Sequence, residues 1–319
     1  MRIYISAFNI PSIRKIKSLD EGFNPNVLKA YELDKTKSNN ELIELLENRN
    51  LYNSLMVDSG TFVANAGRLV DSKDFNEIES FKEYASFIAS FKENIDFYVN
   101  YDVLFSGEDS FAVNNSYQKL MEEYGLNPIF VMHSFNDYEI EYILNKKPRL
   151  VAIASAMLKP SQFKEAIKII DIFYKEDIKV HLLGCGSYKN LCKTKAWSAD
   201  ASSYGQYASA GQLNYFTNIE STVVDENGIK HRICKGETRL SLSRTTDSGK
   251  INFNFYDAPY MQEYRMEYEN FIYEKLGIGL HEIIADSTLV VLSNAYHMYC
   301  MEKKVTEFQK ANGVNFNVW

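Results

Sequence analysis

Six apolar runs of this chain end on residues that could do chemistry. "LMVD" stops at Asp58, "NYD" at Asp102, "FVMH" at His133 and "VAIAS" at Ser155; "HLLGCG" closes on Gly184 and Gly186, and "WSAD" on Asp200. A carboxylate ending a buried run is costly to desolvate unless partners or water reach it. Taken singly, each residue has a plain explanation: Asp58 as the N-cap of a strand-to-helix turn, Asp102 as a loop cap, His133 as a satisfied core histidine. The glycines of "GCG" signal a tight turn or close backbone approach to a ligand. They lack the third glycine of a dinucleotide fingerprint. Brought to one place, three carboxylates and a histidine are more than core packing needs, and they would form a site.

Whether they meet depends on the elements that carry them. Short β-rich runs alternate with amphipathic helical stretches. "RIYISAF", "SLMVD", "DFYVNYDVL", "NPIFVMH", "RLVAIASA", "KVHLLG" and "AWSADAS" read as seven strands. Helices are expected over 40–49, 110–124, 137–144 and 161–174, with a short one near 188–193. A further helix over 75–93 places Phe81, Tyr84, Phe87, Ile88 and Phe91 on one face. Strands separated by helices imply parallel pairing through βαβ crossovers. A doubly wound open sheet and a (β/α)8 TIM-type barrel both satisfy that pattern, and the unit count and even spacing favour the barrel. In a parallel barrel the βα loops converge on one mouth, so the strand-end residues would meet there.

After Gly205 the rhythm breaks. "STVVDENGIKHRICKGETRLSLSR" and "GKINFNFYD" read as β-hairpin material with a turn at Glu226-Asn227-Gly228. The expectation is one domain over 1–319, with an inserted β region at 214–258 and C-terminal helices at 260–310 covering the barrel.

A formal charge of −7 argues against a protein coated in basic surface but leaves room for a local basic groove. One such patch lies in the hairpin stretch, where Lys230, His231, Arg232, Lys235, Arg239 and Arg244 gather; on alternating strands several would share a face able to contact phosphates. A solvated edge hairpin explains the same residues equally well. Lys189, Lys193 and Lys195, just before Asp200, could extend the patch. The four cysteines, Cys185, Cys192, Cys234 and Cys300, are scattered, which indicates neither a disulfide framework nor a zinc ribbon and fits reduced thiols in a cytoplasm. No apolar run approaches the length of a membrane span, and the opening residues lack the pattern of a signal peptide.

The order "DSGTF", "NYDVL", "FVMHS", "VAIASAM", "HLLGCG", "ADASS" resembles the queuine/archaeosine tRNA-guanine transglycosylase superfamily over about residues 55–205. That family carries Asp-Ser-Gly-Gly-Phe, a Phe-Asp strand end, Val-Gln-Gly-Gly, Ile-Gly-Gly-Leu, Leu-Met-Gly-Val-Gly and a final strand-end Asp in this order, on a barrel. The departures point within it. Thr61 replaces a glycine, His133 stands where the base-binding glutamine would be, and Ala154-Ser155-Ala156 replaces the Gly-Gly-Leu cradle. The zinc signature of the tRNA enzymes is absent: Cys234 stands alone, and His297 with Cys300 lacks two partners. These features are similar to the DpdA-like proteins of phages and bacterial DNA-modification clusters, which exchange guanine in DNA for a 7-deazaguanine. "WSADASSYG" is also closer to their Asp-Ser-x-Ser-Trp stretch than to the tRNA enzymes' Asp-x-Val-x-Pro-Thr-Arg.

The resemblance implies base exchange at the sugar C1′ through an oxocarbenium-like transition state, with two carboxylates sharing the work. Asp200 matches the nucleophile and Asp58 the general acid/base. Asp102 matches the acceptor for guanine's N1–H and exocyclic amine. His133 is placed at the O6 edge, the Gly184–Gly186 backbone and Ser155 near the ring, and Phe62 and Tyr101 as candidates for stacking. Arg232, Lys235, Arg239, Lys193 and Lys195 are the candidates for backbone phosphates. The partners implied are guanine-containing DNA, a free 7-deazaguanine base such as 7-cyano-7-deazaguanine, and room for an accessory protein; no cofactor, metal or membrane is implied. The alternatives are a tRNA-guanine transglycosylase, a non-catalytic nucleic-acid-binding subunit, and a barrel glycosidase. The absent zinc signature disfavours the first, retention of both Asp58 and Asp200 the second, and the scarcity of tryptophan the third.

Overall fold

The computed structural model describes residues 1–32, 40–61, 77–102 and 110–316. The chain divides into two compact units where the sequence suggests a single domain. One comprises Met1–Ile13, Asn24–Ala201 and Lys304–Trp319; the other comprises Arg14–Phe23 and Ser202–Lys303.

The first unit holds eight parallel strands: β1 (Arg2–Ser6), β2 (Asn26–Ala30), β3 (Ser54–Asp58), β4 (Phe97–Tyr98), β5 (Phe130–Met132), β6 (Leu150–Ile153), β7 (Lys179–Leu182) and β8 (Ser198–Ala201). A helix lies in every connection: α1 (Ile10–Leu19), α2 (Glu41–Glu47), α3 (Glu77–Phe91), α4 (Ser110–Glu123), α5 (Asp137–Lys146), α6 (Phe163–Lys175) and α7 (Tyr188–Leu191). The strands form one curled, barrel-like sheet in the order β4-β3-β2-β1-β8-β7-β6-β5. Beyond β4 and before β5, Val99 and Ile129 form a parallel bridge. There Ile129 N–H donates to Tyr98 O at 2.8 Å and Asn100 N–H to Ile129 O at 2.9 Å.

Strand β2 and helix α1 make one more βαβ unit than the sequence suggests. In "NVLKA" a lysine interrupts the apolar run, yet Lys29 is buried and ion-paired to Glu41 of α2. A buried charge is tolerated when it is paired. Elsewhere the periodicity holds. Phe163, Ala166, Ile169, Ile170 and Phe173 of α6 are buried at helical spacing, each large one contributing roughly 1.5–3 kcal/mol. Strands β6, β7 and β8 are buried at every position, as a parallel sheet covered by helices requires.

Register fixes which side chains share a face. Paired residues of parallel strands point the same way, and alternate residues follow. Tyr4 pairs with Asp200 and Asn26, Asn26 pairs with Ser54, and His181 pairs with both Ala152 and Ser198. One face therefore carries Tyr4, Ser6, Ser54, Asp58, His181, Ser198 and Asp200. The Tyr4 hydroxyl and Ser54 Oγ meet on it at 3.0 Å.

The second unit contains two antiparallel pairs, β9 (Gln212–Thr217) with β12 (Gly236–Ser241) and β10 (Ser221–Val224) with β11 (Lys230–Ile233). The β10–β11 hairpin turns where expected: Gly228 has φ +78°, and Asp225 accepts from the backbone N–H groups of Asn227 and Ile229. The stretch 250–257 contributes only isolated bridges, Ser241–Phe255 and Thr245–Ile251. Helices follow: α8 (Ser203–Ser209) precedes β9, while α9 (Gln262–Leu276), α10 (Leu280–Ala285) and α11 (Ser287–Ala311) end the chain, with Asp286 separating the last two. Buried Asn294 of α11 ties down the edge of β9, accepting from Asn214 N–H and donating to Gln212 O, each at 2.8 Å.

Candidate active site at the strand ends

Asp58 ends β3, and the chain turns at once. Gly60 has φ +79°, and a Cβ there would lie 3.1 Å from Ala30 Cβ and 3.2 Å from Glu32 N, so both conformation and space call for glycine. The turn is tied on two sides. Glu32 N–H donates to Ser59 O at 3.0 Å. On the other side Asp102 N–H donates to Ser59 Oγ at 3.3 Å, and Thr61 Oγ1 donates to Asp102 O. "DSGT" is thus a clamp that holds two carboxylate-bearing strand ends together.

The Asp58 carboxyl is pushed up to about 7. Burial is the main cause, and the charges of Asp102 and then Asp200 add to it, against the Gly60 and Ser59 N–H groups. Asp58 responds to both other carboxylates, as the strand-end convergence requires.

Asp102 faces His133, whose Nε2 lies 2.5 Å from Asp102 Oδ1, with both side chains largely buried. Burial lowers the imidazole's affinity for a proton, but the hydrogen bond and charge of Asp102 and the charge of Glu139 raise it above its usual range. Glu139, in the first turn of α5, accepts from His133 N–H at 2.9 Å, Ser134 N–H at 3.0 Å and Ser134 Oγ at 2.5 Å. Burial raises its own carboxyl. His133 is therefore engaged with the Asp102 carboxylate through Nε2.

Tyr101 also takes a different role. By alternation after Val99 it would point with Asp58, but it is fully buried against Phe81, Tyr84 and Tyr117, with ring centroids 5.1–6.0 Å away. The alternation slips between Val99 and Asp102, so Tyr101 packs on α3 and α4 and has no face to offer a base. Phe62 lies outside the described residues.

Asp200, on β8, is met by three partners. Ser6 Oγ donates to Oδ2 at 2.6 Å, Gly184 N–H donates to Oδ1 at 2.9 Å, and His181 Nε2 lies 3.2 Å from Oδ1. Gly184 has φ +69° and is exposed; a Cβ on it would stand 3.3 Å from Ser155 Cβ. Ser155, also exposed, opens the 3-10 turn Ser155–Leu158. These two loops abut beside Asp200. Gly186 is half-buried, and burial pushes the Cys185 thiol up to about 11, so that thiol is not a nucleophile. No group of three or more His, Cys, Asp or Glu side chains among the described residues is placed to hold a metal ion.

Ser6, His181 and Glu139 belong to the site and escape the motif reading. His181 had a legible signal: Ser198 and Asp200 share a face of β8, so a histidine three residues before "GCG" can bridge them.

The basic candidates fall in several places. Lys193 is exposed, while Lys195 pairs with Asp171 at 3.2 Å and lies over the Tyr174 ring. Arg232 and Arg239 sit on β11 and β12, which pair with different strands, so no single ribbon carries both. Arg232 pairs with Glu220 at 2.5 Å and Arg244 with Glu226 at 3.1 Å; Arg239 lies over Tyr207, and Lys235 is exposed. Among the described residues, no helix is long and apolar enough to cross a membrane.

No protein-family model matches the chain, and no curated protein matches it.

Proposed function

We propose that this protein is a transglycosylase that replaces guanine in DNA with a 7-deazaguanine, on a sheet closed as a (β/α)8 barrel at the Val99–Ile129 seam. The observation that carries the reading is the contrast between two carboxylates. Asp58 is raised to about 7 by burial beside Asp102 and Asp200, so it holds a proton near neutrality; Asp200 is oriented by Ser6, His181 and Gly184. An acid and an oriented carboxylate at one set of strand ends suit displacement at an anomeric carbon.

In the first step an Asp200 oxygen forms a bond to C1′ as the C1′–N9 bond breaks. The electron pair leaves with guanine, which takes a proton from Asp58. In the second, N9 of the incoming base attacks C1′, the ester bond to Asp200 breaks, and the N9 proton returns to Asp58. The sugar–phosphate chain stays intact. Asp102, oriented by His133, keeps Oδ2 to accept from the N1–H and amine edge of the base. A duplex target must be unstacked first, costing roughly a few kcal/mol. DNA is preferred over tRNA because the chain lacks the zinc-ligand signature and the tRNA-type motif after the nucleophile.

The test is exchange of labelled guanine into DNA and into unmodified tRNA by the purified protein, followed by nucleoside mass spectrometry with a 7-deazaguanine supplied. Incorporation into DNA is expected. Exchange confined to tRNA, or none in either, overturns the proposal.

A further inference from the structure

His181 is fully buried on β7 and has no part in the steps above. Its Nδ1 lies 2.8 Å from Ser198 Oγ and its Nε2 lies 3.2 Å from Asp200 Oδ1. Strand register produces this row: His181 is paired with Ser198, and alternation along β8 returns Asp200 to the same face two residues later. An ionised carboxylate can only accept, so the Nε2 that faces it must carry a proton. A serine hydroxyl can donate, so Nδ1 of a neutral ring can accept from Ser198. The two neighbours together select one tautomer.

The two oxygens of Asp200 are not treated alike. Oδ1 is met by a fully buried ring and by the backbone N–H of Gly184. Oδ2 is met by the hydroxyl of Ser6, at the end of β1, which turns about a single bond. Resting on the transglycosylase reading of Asp200, we infer that His181, set as its Nε2–H tautomer by Ser198, is a positioning residue that anchors Oδ1 and leaves Oδ2 as the oxygen that attacks C1′. Attack then requires only rotation of the Ser6 hydroxyl, while the anchored oxygen keeps the carboxylate plane aimed. A His181 that merely filled space could be replaced by any side chain of similar size.

Two measurements on the full chain test this. The first is formation of the covalent deoxyribosyl adduct from a guanine-containing oligonucleotide without incoming base, followed by quenching and intact mass. His181→Phe keeps the ring volume and removes both nitrogens; adduct formation should slow about 100-fold, the scale of loss from a misaligned reacting group. His181→Gln, whose amide can still donate, should recover part of that rate, and Ser198→Ala should lose less than His181→Phe. The second is nitrogen-15 NMR of the histidines, independent of activity. The wild type should show His181 as the Nε2–H tautomer, and Ser198→Ala should relax that preference. Wild-type adduct rates in a folded His181→Phe, or an Nδ1–H tautomer in the wild type, overturn the inference. No adduct from the wild type overturns the transglycosylase reading and attack by Oδ2 together. The tautomer then decides whether His181 still anchors the carboxylate.

Discussion

The strand ends of the eight-stranded sheet and the β10–β11 hairpin both carry charges, and they treat them in opposite ways. At the strand ends Asp102, His133, Glu139, His181 and Asp200 are largely buried, and their partners come from other strands, a helix or the backbone. Around the hairpin the arginines are exposed and pair with acids: Arg232 on β11 with Glu220, and Arg244, beyond β12, with Glu226 of the hairpin turn. Buried charges hold one geometry because breaking a pair leaves a desolvated group behind. Exposed pairs exchange readily with water and ions, and salt screens them. The first arrangement suits chemistry that needs fixed atoms. The second suits contacts that can be traded for a phosphate.

Asp200→Asn gives the sharpest break. It should abolish exchange, on the order of 10⁴-fold or more, while folding and DNA binding persist. Single-turnover exchange of labelled guanine measures this, and wild-type rates in the variant would remove Asp200 from the reaction.

Asp58→Asn should slow exchange by about 10²–10⁴-fold, the range for loss of a general acid, and it carries a second signature. The Asp58 carboxyl is raised from the usual 3.8 to about 7 in the fold. Between those values the folded chain binds a proton that the unfolded chain has released, so this group's contribution to stability is present at low pH and is lost as pH rises through about 7. The effect is on the order of a few kcal/mol at most. Thermal unfolding at a series of pH values should show the decline in the wild type and a flatter profile in Asp58→Asn; parallel profiles would mean the carboxyl is not raised.

Asp102→Ala should reduce guanine exchange by about 10- to 100-fold, because it removes acceptors for the base and the partner that orients with His133. The salt dependence of DNA binding should stay as it is, since no phosphate contact is lost. A changed salt slope would place Asp102 at the backbone instead.

The smallest effect separates the two regions directly. Neutralising Arg232, Lys235 and Arg239 together should weaken DNA binding broadly across sequences and flatten its salt dependence, by close to one counterion per lost contact. Guanine selectivity and the melting temperature should remain. Binding titrations over a range of salt measure it, and a full salt slope in the variant makes these three basic residues a solvated surface.

Much of this was legible in the chain itself. The strand that ends at Asp58 matches its reading at both ends, because apolar runs punctuated by a carboxylate and glycine leave little choice of boundary. Helical spacing located α3 through α6 within a few residues, since each buries one stripe against the sheet. Strand β2 was hidden because Lys29 breaks its apolar run, and only the ion pair with Glu41 explains that residue. Tyr101, a stacking candidate on the family resemblance, packs on α3 and α4 instead, because alternation fails where the strand leaves its ladder after Val99. Sequence alone determined the order of alternating elements and set Asp58, Asp102, His133 and Asp200 at their ends, because periodicity and punctuation are local. Tertiary structure decided the partners: which oxygen of Asp200 meets His181, that His133 is turned to Asp102, and that Arg232 and Arg239 stand on separate ladders. Those depend on register between strands far apart in the chain, and a shift of one residue would send each side chain to the opposite face.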